Sequence, residues 1–145
     1  MNKTVKRKKS KTNNGPFVKL DNEIIDSKPF QELTIHAKWL YVEFKKRYNG
    51  KNKYNISLTQ KESKAIMAIN TFNKSRNQLI EKGFIDLIRR GGLWKQCSIF
   101  ALSERWRKYG TPEFEKINIK DILPPIYKNK FSKGHEFLGN QYKQK

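Results

Sequence analysis

Side chains that could contact DNA bases recur along one segment of the sequence. At helical spacing, the face opposite its apolar stripe carries Asn70, Lys74, Asn77 and Glu81, and its flanks carry Thr71, Asn73 and Gln78. All of these except Glu81 are candidates for contacts with bases. Asparagine and glutamine can form two hydrogen bonds with adenine, and lysine can reach guanine or a phosphate. A solvated helix face is also polar, but such faces favour Glu–Lys pairs, whereas this one is rich in amides. We therefore expect this segment to form a helix that reads base edges.

Three cations surround a glycine pair further along the chain. Arg89 and Arg90 precede Gly91-Gly92, and Lys95 follows it. We expect this tip to lie against phosphates or to enter the minor groove, where arginine is favoured. An ordinary exposed hairpin tip is the alternative, although the neighbouring Trp94 would be unusual there.

A third basic group lies near the N-terminus and comprises Lys6, Arg7, Lys8 and Lys9. Residues 1–16 contain no acid and few apolar side chains, so we expect a basic arm that is disordered until bound. On DNA, such an arm adds salt-dependent affinity and little sequence specificity. The alternative is a solubilising tail.

The overall charge points to the same class of partner. The 145 residues include 32 Lys and Arg against 13 Asp and Glu, a formal net charge of +19 at pH 7. So large a charge indicates a polyanion, with nucleic acid ahead of an anionic membrane surface.

The sequence also indicates where the protein works. No stretch approaches the roughly 18 apolar residues of a transmembrane helix, and no apolar segment follows the basic N-terminus as in a secretory signal. Cys97 is the only cysteine, so no internal disulfide can form. We expect no membrane partner and a location in a compartment that keeps thiols reduced, such as the cytoplasm.

Residues for catalysis do not cluster in the sequence. Cys97 has no histidine near it, and together with His36 and His135 it gives too few ligands for a structural zinc site. The Gly91-Gly92 pair lacks the Lys-Ser/Thr context of a phosphate-binding loop, and paired acids for a metal-dependent nuclease are missing. We expect a protein that is not an enzyme, with neither a cofactor nor a metal site.

The first long helix is predicted from capping and apolar spacing. Ser27 is expected to cap it, with Pro29 in its first turn. Apolar residues continue at helical spacing from Phe30 to Phe44. They form either one helix or a short turn followed by a helix that restarts at Thr34.

A short strand and two further helices are predicted next. Residues 56–58 alternate as a strand does, and Thr59 with Glu62 has the spacing of a capping box. Asn70 is expected to cap the following helix, and Gly83 to end it in a left-handed conformation. The inward stripe of that helix comprises Phe72, Ser75, Leu79 and Ile80.

Two strands and a last short helix complete the predicted domain. Residues 84–88 and 98–102 are typical of strands, and the Gly91-Gly92 pair is expected to form a tight turn between them. Ser103 is then predicted to cap a short helix that ends at Gly110.

This order of elements predicts an α+β fold. So small a sheet must pack on helices, which favours a winged helix-turn-helix with a three-helix core and a small antiparallel wing. Residues 59–82 would form the helix-turn-helix and 84–102 the wing. The domain then spans 17–110, between the basic arm 1–16 and an extended C-terminal arm, 111–145.

The segments that carry this pattern resemble a known group of domains. Three segments look like winged helix domains of phage and plasmid replication proteins: residues 47–50 (RYNG), 56–60 (ISLTQ) and 75–85 (SRNQLIEKGFI), of which LIEKGFI is the most telling part. They are most similar to the N-terminal DNA-binding domain of phage replication protein O, and residues 17–27 are similar to the entry of phage replisome organisers. The resemblance covers residues 17–105.

The resemblance implies roles for three neighbouring residues. Lys74 falls where the family commonly has a cation that contacts DNA, and Ser75 where it has a small packed residue. Arg76 departs from the pattern, because related domains usually carry an apolar residue there. Either the helix is rotated slightly, or the side chain of Arg76 extends to a phosphate or an acid.

The function implied is site-specific binding of duplex DNA by a protein of a mobile element, in replication initiation or its control. A homodimer on DNA is one arrangement. A transcriptional regulator with the same fold, an RNA-binding basic protein and an interaction or inhibitor module are the alternatives. Residues 123–138 would either recruit a protein partner as a linear segment or pack as a strap on their own domain.

Overall fold

The computed structural model describes residues 15–91 and 96–122 of the chain. Most of the predicted basic arm, residues 92–95 of the predicted wing tip and the tail from residue 123 lie outside these residues.

Two short helices precede the first long one. They are α1 (Asn22–Asp26), α2 (Lys28–Gln31) and the long α3 (Ile35–Arg47). The hydroxyl oxygen of Thr34 accepts a hydrogen bond from the amide of Ala37 at 3.2 Å, so the alternative in which the helix restarts at Thr34 is confirmed. Pro29 lies in the first turn of α2, as predicted. Ser27 stands at the N-cap of α2, as predicted, but its hydroxyl makes no capping bond there and instead donates to the carbonyl oxygen of Ile24 in α1 at 2.6 Å.

The middle of the chain forms β1 (Ile56–Ser57), α4 (Gln60–Ile66) and α5 (Ile69–Lys82). The capping box is confirmed: the amide of Glu62 donates to Thr59 Oγ1 at 3.2 Å, and the amide of Thr59 donates to the Glu62 carboxylate at 2.8 Å. Gly83 ends α5 at φ +87°, also as predicted. The predicted cap by Asn70 is wrong. The helix α5 begins at Ile69, directly after Ala68, so Asn70 lies inside the helix and not at its cap.

Three antiparallel strands form one sheet in the order β1-β3-β2. The predicted pairing of β2 (Ile85–Arg89) with β3 (Ile99–Leu102) is confirmed, and Ile56 opposite Phe100 places β1 on the other edge of β3. The register shifts by one residue between Leu87 and Arg89. Ile88 is thus an extra residue, of the kind that bends a strand and increases its twist.

The chain after the sheet returns to the helices. A 3₁₀ helix (Arg105–Lys108) stands where a last helix is predicted, and Ser103 Oγ accepts from the amide of Arg105 at 3.2 Å. Within the predicted extended arm, α6 (Ile119–Ile122) is helical and packs against α5. Three isoleucines of this segment, Ile117, Ile119 and Ile122, lie partly buried against the core.

The core lies between α3, α5 and the sheet, with Phe84 among the aromatic rings. The centroid of its ring lies 5.8 Å from that of Phe30, 5.3 Å from that of Tyr41 and 5.8 Å from that of Trp106. All four residues are buried, and aromatic rings at these separations contribute beyond the area that they bury. The architecture is therefore mixed α+β, with the helices joined to a three-stranded antiparallel sheet through one core.

Candidate nucleic-acid interface

The residues of α5 that face the core are the ones predicted from the sequence. Phe72, Ser75, Leu79 and Ile80 are buried. On the other side, Asn70 and Lys74 are exposed, and Asn73 and Asn77 are half-buried. With 3.6 residues per turn, Asn70, Lys74 and Asn77 share one face, and Asn73 lies beside them. The structure therefore brings four of the six predicted base-contacting residues to one surface.

The other two, Thr71 and Gln78, lie on the flank of α5 that turns towards α3. Gln78 Oε1 accepts from both the amide and the hydroxyl of Thr34, each at 3.2 Å. This oxygen is thus engaged in fixing the start of α3 to α5. We therefore leave Gln78 out of the candidate interface, although its residue type alone predicts a base contact.

Arg76 lies on the opposite flank of α5, and its side chain is half-buried. Its Nε and Nη2 donate to Oδ1 of the neighbouring Asn77 at 3.3 and 3.1 Å. Within residues 15–91 and 96–122, no carboxylate forms an ion pair with it. A guanidinium is costly to bury without an anionic partner, so this position is electrostatically unfavourable in the free protein.

Arg90, the residue directly after β2, adds to this positive charge. Burial and the nearby positive charge of Arg90 together lower the pKa of Arg76, burial having the larger effect. Arg89, one residue earlier, is exposed and donates from Nη2 to the carbonyl oxygen of Cys97 at 3.5 Å. From the sequence, Arg89 and Arg90 are among the residues predicted to contact DNA, whereas Arg76 is not among them. The feature of the sequence that could have identified Arg76 is its charge at a position next to the buried stripe of α5.

The strand ends beside these arginines approach each other closely at Gly91. Its amide donates to Ser98 Oγ at 3.0 Å. A Cβ at Gly91 would lie 2.5 Å from the carbonyl oxygen of Gln96 and 2.5 Å from the amide nitrogen of Ser98. A side chain would therefore force the backbones apart, and glycine is required for this spacing.

The side chain of Arg105 connects the C-terminal end of α5 to β2. Its Nη2 donates to Asp86 Oδ1 at 2.6 Å and to the carbonyl oxygen of Ile80 at 2.9 Å. It also donates from Nη1 to the carbonyl oxygen of Glu115 at 3.0 Å. This arginine thus ties the C-terminal end of α5 to β2 and to the chain that leads into α6.

The remaining predicted cations cannot be placed on this surface. Lys95 and the arm residues Lys6, Arg7, Lys8 and Lys9 lie outside the described residues, as does the predicted partner segment 123–138. In the part of the chain that is described, no group of three or more His, Cys, Asp or Glu side chains is arranged to hold a metal ion. None of the described helices is both long and apolar enough to cross a bilayer.

Comparison of the chain with protein-family models, with curated proteins and with solved structures finds no match.

Proposed function

We propose that this protein is a winged helix protein that binds duplex DNA at a specific site. In this arrangement α4 and α5 form the helix-turn-helix, α5 enters the major groove, and β2 with β3 forms the wing. The observation that carries the proposal is the placement of Arg76. Its half-buried guanidinium lies near Arg90 without a carboxylate partner among the described residues, next to the amide-rich face of α5.

A DNA phosphate would resolve this unfavourable arrangement. The phosphate supplies the anion that Arg76 lacks, and guanidinium groups bind phosphates with strong charge-assisted hydrogen bonds. Contacts of this kind fix the register of a protein on the duplex, whereas contacts with base edges give sequence specificity. We assign the first role to Arg76, Arg89 and Arg90.

The second role belongs to the exposed face of α5. Asn70, Asn73 and Lys74 carry groups that match adenine and guanine edges. Asn77 receives the hydrogen bonds of Arg76 through Oδ1, which leaves its amide nitrogen as the available donor. One well-formed bidentate contact contributes roughly 1–3 kcal/mol of discrimination.

The biological setting is proposed from the sequence resemblance over residues 17–105. On that basis, the protein acts in replication initiation of a phage or plasmid, or in its control, inside the bacterial cytoplasm. Binding as a homodimer predicts a palindromic site, whereas an origin predicts tandem repeats.

Selection of bound sequences from a random duplex library, using the full chain, tests the proposal. We expect wild-type protein to enrich one sequence and the Asn73→Ala, Lys74→Ala double variant to lose that enrichment while keeping its affinity for bulk DNA. Lys64→Ala on the neighbouring α4, also exposed, is the matched control and keeps the enrichment. Absence of any enriched sequence, or equal competition by structured RNA at matched salt, would contradict the proposal.

A further inference from the structure

The long helix α3 is apolar on two opposite sides. Its inward side packs in the core through Ala37, Leu40, Tyr41 and Phe44, which are buried. Its outward side carries Ile35, Trp39 and Val42, at spacings of four and three residues. Ile35 is 81% exposed and Trp39 is 53% exposed. A helix on the surface of a protein normally turns a polar side to solvent, so large apolar side chains exposed on the outward side of α3 indicate a surface that another molecule covers.

Lysines border this outward side. Lys46 extends the same row by one further turn, and Lys38 and Lys45 lie on its edge, with their Nζ atoms 5.6 Å from the ring centroid of Phe30 and 5.9 Å from that of Tyr48. Among the described residues, none of these three lysines forms an ion pair. The one acid of α3, Glu43, is paired with Arg47 at 2.9 Å. The border is therefore positively charged.

The charge of the chain itself argues against a covering segment from the same protein. Residues 123–145 contain five lysines and one glutamate, and residues 1–14 contain six cations and no acid. A second copy would bring a further charge of +19 and would place lysines against lysines. Like charges at an interface disfavour association.

We propose that the outward side of α3 binds an acidic amphipathic segment of a different protein. Apolar side chains of that segment cover Ile35 and Trp39, and its carboxylates pair with Lys38, Lys45 and Lys46. Because the inward side of α3 packs against α5, this surface is separate from the proposed DNA interface. The protein can therefore bind its partner and DNA at the same time.

Three peptides of equal length test the proposal on the full chain by fluorescence anisotropy. The first is helical, with leucine and phenylalanine at spacings of three and four and glutamate elsewhere. The second replaces each glutamate by lysine, and the third is polyglutamate. We expect the first to bind most tightly, and to remain bound when a random-sequence duplex is added. Trp39→Glu should weaken it at least about tenfold, as expected for an aromatic anchor.

The matched control is Tyr54→Glu, which places the same charge at another exposed aromatic residue, 68% exposed and outside α3. It should weaken the first peptide much less than Trp39→Glu does. Equal effects of the two variants, equal binding of the lysine peptide, or equal binding of polyglutamate would overturn the proposal. A concentration-dependent dimer in sedimentation equilibrium that Trp39→Glu abolishes would instead identify a second copy as the occupant.

Discussion

The carbonyl oxygen of Gly83 accepts a hydrogen bond from the amide of Trp106 at 3.1 Å. Gly83 has a φ of +87°, and a Cβ on it would lie only 2.7 Å from that same amide nitrogen. The left-handed end of α5 thus touches the backbone of the 3₁₀ helix directly. This contact fixes where α5 ends and supports its C-terminal end. It bears on the proposed function because α5 carries the proposed base contacts.

Alanine at this position should therefore be costly. Gly83→Ala imposes an unfavourable φ, worth about 1 kcal/mol, and a clash with backbone that cannot move aside. We expect a loss of about 2–4 kcal/mol in the free energy of unfolding, measured by urea denaturation. Gly50→Ala is the control, because Gly50 has a φ of +90° with nothing within 4 Å of the added Cβ. It should lose only about 1 kcal/mol. Equal losses would mean that the contact with Trp106 is unimportant.

Removal of the Arg105 side chain should destabilise the junction of α5 and β2. Arg105→Met leaves Asp86 without its ion-pair partner and removes one of the two donors to the carbonyl oxygen of Ile80, the other being the amide of Gly83. We expect a loss of about 2–4 kcal/mol in urea denaturation. Arg107→Met changes the same charge two residues away on a side chain that is 44% exposed, and should lose less than about 1 kcal/mol. A loss from Arg105→Met as small as that of the control would refute the supporting role.

Tyr41 should make the fold sensitive to high pH. Burial, with the nearby negative charges of Asp21 and Glu104, raises the pKa of its hydroxyl from 10.0 to about 12. A pKa raised in the folded state gives stability that is complete below pH 10 and is lost as the pH rises towards 12. The loss amounts to about 3 kcal/mol once the pH exceeds 12, from about 1.4 kcal/mol for each of the two pKa units.

Tyr41→Phe isolates this effect from the titration of the many lysines, which both proteins share. We expect the difference in free energy of unfolding between wild type and variant to be constant up to pH 10 and then to shift in favour of the variant. Urea midpoints at pH 7, 9, 10 and 11 measure it. A difference that stays constant throughout this range would show that Tyr41 does not couple ionisation to folding.

The parts of the fold that the sequence predicted depend on residues close together in the chain. The Thr59–Glu62 capping box, the end of α5 at Gly83 and the buried stripe of α5 are fixed by spacings of three or four residues or by glycine geometry, so local physics suffices. The two capping predictions were less accurate: Ser27 lies between two short helices and its hydroxyl bonds to the first of them, and α5 begins one residue before Asn70.

What the sequence did not predict depends on residues that are distant in the chain. Gln78 is engaged by Thr34, 44 residues away, and its polar type gave no indication of that partner. The pairing of β1 with β3 and the extra residue in β2 follow from how the sheet packs on the helices. The position of Arg76 near Arg90 likewise depends on the tertiary fold, and only its departure from the expected apolar residue pointed to it.

Replacement of Arg76 should change DNA affinity without lowering the free energy of unfolding. Arg76→Met keeps the length of the side chain and removes a half-buried charge without a carboxylate partner in the described part of the chain. The free energy of unfolding should therefore stay the same or rise, whereas affinity for all duplexes should fall. The slope of log K against log salt should become shallower by about 1, as for the loss of one phosphate contact. Arg47→Met is the matched control, because Arg47 is also half-buried but is paired with Glu43. It should lose stability and leave the salt slope unchanged. If Arg76→Met instead lowered the stability and kept the slope, Arg76 would be a packing residue, and the proposed phosphate contact would be wrong.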